Sequence, residues 1–138
     1  MRTRSSIRRK FKWVFWNRQH PLLLFVREIG PRSTAFYRNV LGLRLAYEDD
    51  LAAVFSIGGI TLRISVVADF TPHEHTILGF RVNDVAATVD ALRSKGLEFN
   101  IYPQFRQDEF GILTLPGRTS RVAWFNDPDG NVLSITNV

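Results

Sequence analysis

The sequence predicts an α+β domain made of two successive βαβββ modules. Three observations predict it. An apolar strand, a helix and three more strands occur in that order twice. Turn residues punctuate both halves at matching places. The halves also align residue by residue: Phe25-Val26 with Phe80-Arg81, Val54-Phe55 with Trp124-Phe125, and Thr61-Leu62-Arg63-Ile64 with Val132-Leu133-Ser134-Ile135. Two such units, each with a half-covered sheet, are expected to curl around a shared cleft.

The elements follow in order. Leu22–Val26 is a continuous apolar run of strand length. Gly30-Pro31 opens a helix, with Pro at the first helical position, that runs to about Val40 and stops near Gly42. Strands are expected at Leu43–Tyr47, Ala52–Ser56 and Ile60–Val66, with Gly58-Gly59 as the turn between the last two. The second module starts with Ile77–Val82. Asp84 caps a helix whose inner face is Val85, Val89 and Leu92, and Gly96 closes it. Leu97–Tyr102 is expected as the next strand, followed by a long loop from Pro103 to Thr119. Arg121–Phe125 and Val132–Thr136 form the last hairpin around Asp127-Pro128-Asp129-Gly130-Asn131.

The chain has 138 residues, about one domain, divided as a basic leader over 1–20 and a domain over 21–138. Module one is placed at 21–69 and module two at 75–138. No Cys is present, which excludes disulfides, thiolate metal sites and a Cys nucleophile, and fits a reducing cytoplasm. The net charge of +5 is uneven: seven of the 18 basic residues and no acid fall in 1–20. The other 11 face all 13 acids, so the body is mildly acidic and basic pI is poor evidence for a nucleic-acid partner. No apolar run approaches the roughly 18 residues of a membrane span.

Within the leader, Ile7, Phe11, Val14 and Phe15 share one face of a helix, with Arg8, Arg9, Lys12 and Arg18 mostly elsewhere. That pattern admits contact with a membrane surface. Arg8-Arg9 also evokes a twin-arginine export signal, but Lys12, Asn17 and Arg18 interrupt the apolar stretch that should follow. The expected reading is a leader that is not part of the core, because the pattern spans only about two helical turns.

Phe36-Tyr37-Arg38-Asn39-Val40-Leu41-Gly42-Leu43 resembles the first-helix signature of the vicinal oxygen chelate superfamily, the glyoxalase, bleomycin-resistance and dioxygenase proteins. Trp124 to Leu133 is similar to its closing hairpin. Phe70-Thr71-Pro72 and Thr76 to Asp84 resemble its linker and the start of its second module. The match spans 22–136. It implies a U-shaped cup, commonly completed in a homodimer, and in the metal enzymes four cup positions that hold a divalent cation. In this chain the resemblance puts those positions at Leu22, Arg63, Ile77 and Ser134. Two are hydrocarbons, one is a fixed cation and one is a neutral hydroxyl, so no metal ligand and no cofactor is expected there. His73-Glu74-His75 is the one nearby place where two imidazoles would share a side of an extended segment.

The ligand-binding residues expected on this reading are Arg63, Ser134, Phe55, Phe80, Tyr102 and Trp124. They would supply a cation, a hydroxyl and aromatic walls to a small, anionic or aromatic molecule. No catalytic residue is assigned, although one carboxylate of Asp108-Glu109 could act as a base if buried. The alternative function is a metal-dependent lyase, isomerase or dioxygenase with an atypical site, which His73 and His75 would have to serve. If the leader is a tail, deleting residues 1–20 leaves a folded protein with an unchanged melting temperature. Loss of cooperative melting in the truncated chain would show those residues to be structural.

Overall fold

The computed structural model describes residues 22–27 and 31–138, with side chains described from residue 33 onward. The expected leader, 1–20, lies outside them. The elements are β1 (Leu22–Arg27), α1 (Pro31–Ala35, continued by a π-helical turn Phe36–Val40), β2 (Arg44–Glu48), β3 (Ala52–Ile57) and β4 (Ile60–Val66). They are followed by β5 (Thr76–Arg81), α2 (Val85–Ser94), β6 (Leu113–Thr114), β7 (Arg121–Asn126) and β8 (Val132–Thr136). The two sheets have the same order, β1-β4-β3-β2 and β5-β8-β7-β6. In each, the first strand pairs parallel to the last and the remaining pairs are antiparallel. The expected repeat is therefore a repeat of topology. No helix among the described residues is long and apolar enough to cross a membrane.

The chain forms two compact units: one holds β1–β4, and the other holds α1 with everything from Ala68. These differ from the modules drawn on sequence order, because α1 belongs to the second unit. In the first unit, Phe55 on β3 and Leu62 and Ile64 on β4 are buried on one face. Gly58 and Gly59 have φ of 50° and 84°, as a two-residue type I′ turn requires. At the β2–β3 turn, the Asp49 carboxylate accepts the backbone N–H groups of Leu51 and Ala52, both at 2.8 Å, and the Tyr47 hydroxyl at 2.8 Å.

In the second unit, Asp84 caps α2 by accepting the Ala87 N–H at 2.9 Å. Bonds from Gly96 to Arg93 and from Leu97 to Leu92 close the helix. Val85, Val89 and Leu92 are buried. The aromatic core joins three segments: Phe36 and Phe99 both lie against Phe125, at 6.4 and 5.7 Å between ring centroids.

One buried carboxylate organises this unit. Asp127 is 4% exposed. Its Oδ1 accepts the N–H groups of Asp129 and Asn131 at 2.9 Å each. Its Oδ2 accepts the Asn131 side-chain amide at 2.8 Å and the Tyr37 hydroxyl at 2.6 Å. Ser33 donates to Asp129 at 2.9 Å, a second tie from α1 to the same turn.

The strand expected at Leu97–Tyr102 is a correction. There only Phe99 forms a bridge, to Phe125, and Asn100 N–H bonds to Trp124 at 2.7 Å. Residues 113–114 then take up the edge of β7 as β6. Between the two places the chain makes an excursion pinned by Gln107. Its Oε1 accepts Tyr102 N–H at 2.6 Å, and its amide donates to the carbonyls of Asn100 and Gly111 at 2.9 and 2.7 Å. One side chain thus satisfies backbone groups that a continuous ladder would have paired.

Removing the Tyr37 hydroxyl takes a donor from a buried carboxylate. Tyr37→Phe is expected to cost about 1.5–3 kcal/mol, the usual range for a hydrogen bond to a charged group. Urea unfolding monitored by circular dichroism measures it; an unchanged midpoint would show that Asp127 does not depend on α1.

Candidate functional site

The candidate site of the second unit lies on the face of its sheet turned away from Phe125. The ladder places Gly79, Ser134 and Trp124 side by side across β5, β8 and β7. Ser134 is 7% exposed. A Cβ on Gly79 would stand 3.0 Å from the Ser134 Oγ, so glycine is what lets this hydroxyl occupy the face. Phe105 stacks on Trp124 at 5.6 Å with 20° between the rings. Tyr102 meets Trp124 edge-on at 5.6 Å and 83°. The Tyr102 hydroxyl accepts the Asn100 side-chain amide at 3.2 Å, and that amide also donates to the Asn126 side-chain oxygen Oδ1 at 2.8 Å. An open groove of about 770 Å³ runs beside this cluster, lined by Tyr102, Asn100, Asn126, Val132, Pro72 and His73. Aromatic rings with a few polar atoms beside them suit a flat organic ligand.

On the first sheet, Arg63 sits mid-strand on β4, directly opposite Val54 on β3 and Leu24 on β1. Its Nε is buried and has no hydrogen-bond partner among the described residues. Phe55 is on the other face of this sheet, paired with Leu62 and 0% exposed, so it is core. Phe80 likewise pairs with Ile135, on the face opposite Ser134. The structure thus groups Ser134, Trp124 and Tyr102, places Arg63 on the other sheet, and turns both phenylalanines of the expected set away from their neighbours in that set.

Four other residues singled out by the sequence lie apart from this cluster or are otherwise engaged. His73 and His75 are exposed with ring centroids 5.0 Å apart. Among the described residues no three His, Asp or Glu side chains gather closely enough for a metal ion. The Asp108 carboxylate is engaged by its own loop, accepting the N–H groups of Phe110 and Ile112 at 2.9 and 2.8 Å, and Glu109 is exposed. A second cavity, of about 310 Å³, lies along α2, where the Arg93 guanidinium stands 4.6 Å over the Phe110 ring. Phe105, Asn100 and Asn126 were missed by sequence reasoning. Asn126 was legible, since positions 122, 124 and 126 of a strand share a face; Phe105 was not, because it lies in the irregular excursion.

Residues 18–135 match the Glyoxalase/Bleomycin resistance protein/Dioxygenase superfamily. The chain belongs to that superfamily. The fold agrees with solved structures of it. A glyoxalase/bleomycin resistance protein from Catenulispora acidiphila superposes with a TM-score of 0.65 at 20% identity, covering 86% of this chain and 97% of that one. The fosfomycin resistance protein of Listeria monocytogenes gives 0.64 at 14% identity, covering 83% and 88%. Lactoylglutathione lyase from Agrobacterium tumefaciens gives 0.63 at 16% identity, covering 83% and 90%. At these identities the likeness is one of fold alone. No curated protein matches the sequence at a significant level.

The turn beside Arg63 has a pH response of its own. The backbone N–H of Leu51 first, then the Tyr47 hydroxyl and the Ala52 N–H, hold the Asp49 carboxyl below the ordinary carboxylate range, and the Arg63 charge adds to this. The hydrogen bond to Asp49, with that residue's charge, raises the Tyr47 phenol above its usual value. A lowered carboxyl stabilises the turn above its unfolded value of about 4 and loses that contribution as pH falls through the folded one. Hydrogen exchange at Leu51 and Ala52 should therefore lose protection in acid, and Asp49→Asn should remove the pH dependence. Equal protection of both amides well below that range would refute the assignment.

Proposed function

We propose that this superfamily member binds a small, partly aromatic molecule without the divalent cation of the metal-dependent members. The observation that carries the reading is the Gly79–Ser134–Trp124 row with Tyr102 and Phe105 on it. The family resemblance assigns metal ligands to Leu22, Arg63, Ile77 and Ser134, and that set does not fit a cation. Leu and Ile have no donor atoms, Arg63 repels a cation, and Ser134 offers one neutral oxygen. A ring stacked on Trp124 would instead gain apolar burial and aromatic contact, with the Tyr102 hydroxyl and the Asn126 amide at its edge.

A second reading, a metal-dependent enzyme with an atypical site, is favoured by the approach of His73 to His75. Titration with benzyl alcohol and benzoate, followed by the Trp124 indole resonance and by calorimetry, separates the two. On the metal-free reading, affinities are the same with and without EDTA. Trp124→Ala then weakens binding by about twofold to tenfold, the worth of one aromatic pair. Binding that requires added Zn, Mn or Ni, and is lost in His73→Ala/His75→Ala, would establish the metal reading instead.

A further inference from the structure

We infer that the first sheet carries an oxyanion-binding face centred on Arg63, and hence that the ligand is an organic acid, a carboxylate or phosphonate. The inference rests on the proposed small-molecule reading for there being a ligand at all, but not for where its ring sits.

Strand alternation builds the face. Leu62 and Ile64 are buried on one side of β4, and Thr61, Arg63 and Ser65 are half-buried on the other. The ladder sets Ser56 beside Thr61, Val54 beside Arg63 and Ala52 beside Ser65. Toward β3, one guanidinium therefore has Val54 and Ala52 as its apolar neighbours and three hydroxyl-bearing residues on the same face. β4 is an internal strand of its sheet, where β-branched apolar residues fit a pleated, half-buried surface best. The hydroxyls and the cation are not what such a strand needs in order to pair or pack.

One donor of Arg63 is left open: its Nε is buried with no hydrogen-bond partner among the described residues. A buried donor on a fixed cation carries an uncompensated desolvation cost until something accepts from it. The Arg63 charge reaches the Asp49 carboxylate, whose oxygens already accept from Leu51, Ala52 and Tyr47. Asp49 thus acts on Arg63 through its field, without closing the guanidinium's hydrogen bonds. What completes the site is an acceptor with two oxygens and negative charge. The planar fork of a guanidinium matches a carboxylate or phosphonate in paired bonds. Thr61, Ser65 and Ser56 hydroxyls can donate to the remaining lone pairs. A neutral carbonyl would satisfy the hydrogen bond but leave the charge uncompensated, and a cation would be repelled.

The test compares benzoate, phenylphosphonate and benzyl alcohol at constant ionic strength, by calorimetry and thermal shift. Wild type, Arg63→Met, Arg63→Lys and Thr61→Val/Ser65→Ala are each titrated. The wild type should bind both acids more tightly than the alcohol. Arg63→Met should cut acid affinity by about tenfold to a hundredfold, as expected for hydrogen bonds to a charged group, and leave the alcohol unchanged. Arg63→Lys should recover part of the preference, and the double hydroxyl variant should lose part of it. Without ligand, Arg63→Met should melt no lower than wild type, because the buried Nε it removes has no hydrogen-bond partner among the described residues. Equal binding of acid and alcohol by the wild type overturns the oxyanion face and leaves the small-molecule reading standing. So does an acid preference that survives in Arg63→Met. A large fall in the melting temperature of unliganded Arg63→Met shows a structural cation and overturns the inference. Failure of all three probes to bind overturns both readings.

Discussion

The arrangement of the second unit depends on the Asp127 carboxylate. A hairpin whose register slips by one residue presents the opposite face of both strands. Here the turn from Asp127 to Asn131 is locked by two backbone donors and one side-chain amide on that single carboxylate. The locked turn fixes Trp124 opposite Ser134 rather than opposite Leu133 or Ile135. A buried carboxylate is tolerable only when its oxygens are fully engaged, and the fourth donor comes from Tyr37, ninety positions earlier in the chain. The interaction that sets the register is therefore the one that docks α1. The π-helical turn carrying Phe36 and Tyr37 puts one ring in the aromatic core and the other's hydroxyl on the carboxylate.

The two sheets share a topology and differ in what their edges do. In the first, β2 runs alongside β3 as a regular partner, interrupted only by a shift between Leu45 and Tyr47. In the second, the equivalent strand is cut in two, and the intervening chain returns over the sheet held by Gln107. That excursion brings Phe105 onto Trp124 and Tyr102 against both. The divergence in the second sheet falls where the chain adds aromatic surface.

Much of the fold was legible because it is written in local punctuation. The Gly58-Gly59 turn, the Asp84 cap and the Asp127–Asn131 turn each have one conformation that suits them, and each lies where expected. The faces were harder to read. Ala52 and Ala53 are both buried, so β3 lacks the strict alternation that would have shown Phe55 to lie on the face away from Arg63. The irregularity between Thr76 and Leu78 similarly obscures which way β5 turns its residues. The break in the strand after Leu97 could not be read, because it depends on a Gln side chain bonding to backbone groups distant from it in the chain. Nor does sequence order reveal that α1 belongs with the second sheet; the bond from Tyr37 to Asp127 does.

A fold shared at about one-fifth identity or less carries geometry and no chemistry. Geometry still constrains what chemistry can be. A residue in the middle of an internal strand has its direction fixed by the ladder on both sides, whatever side chain it bears. Changing the side chain there changes the sign and kind of group presented without moving it. Carboxylates and imidazoles at such positions gather a cation, and the cation in turn gathers ligand oxygens. A guanidinium at the same position meets ligand oxygens directly, with no ion between, and gives two donors in a plane where a metal would give a sphere of coordination sites. On the reading proposed here, this chain keeps the preference for oxygen that its fold family is built around and replaces the means of satisfying it. On that reading, the buried Nε of Arg63, without a hydrogen-bond partner among the described residues, is the trace that such a replacement leaves in the free protein.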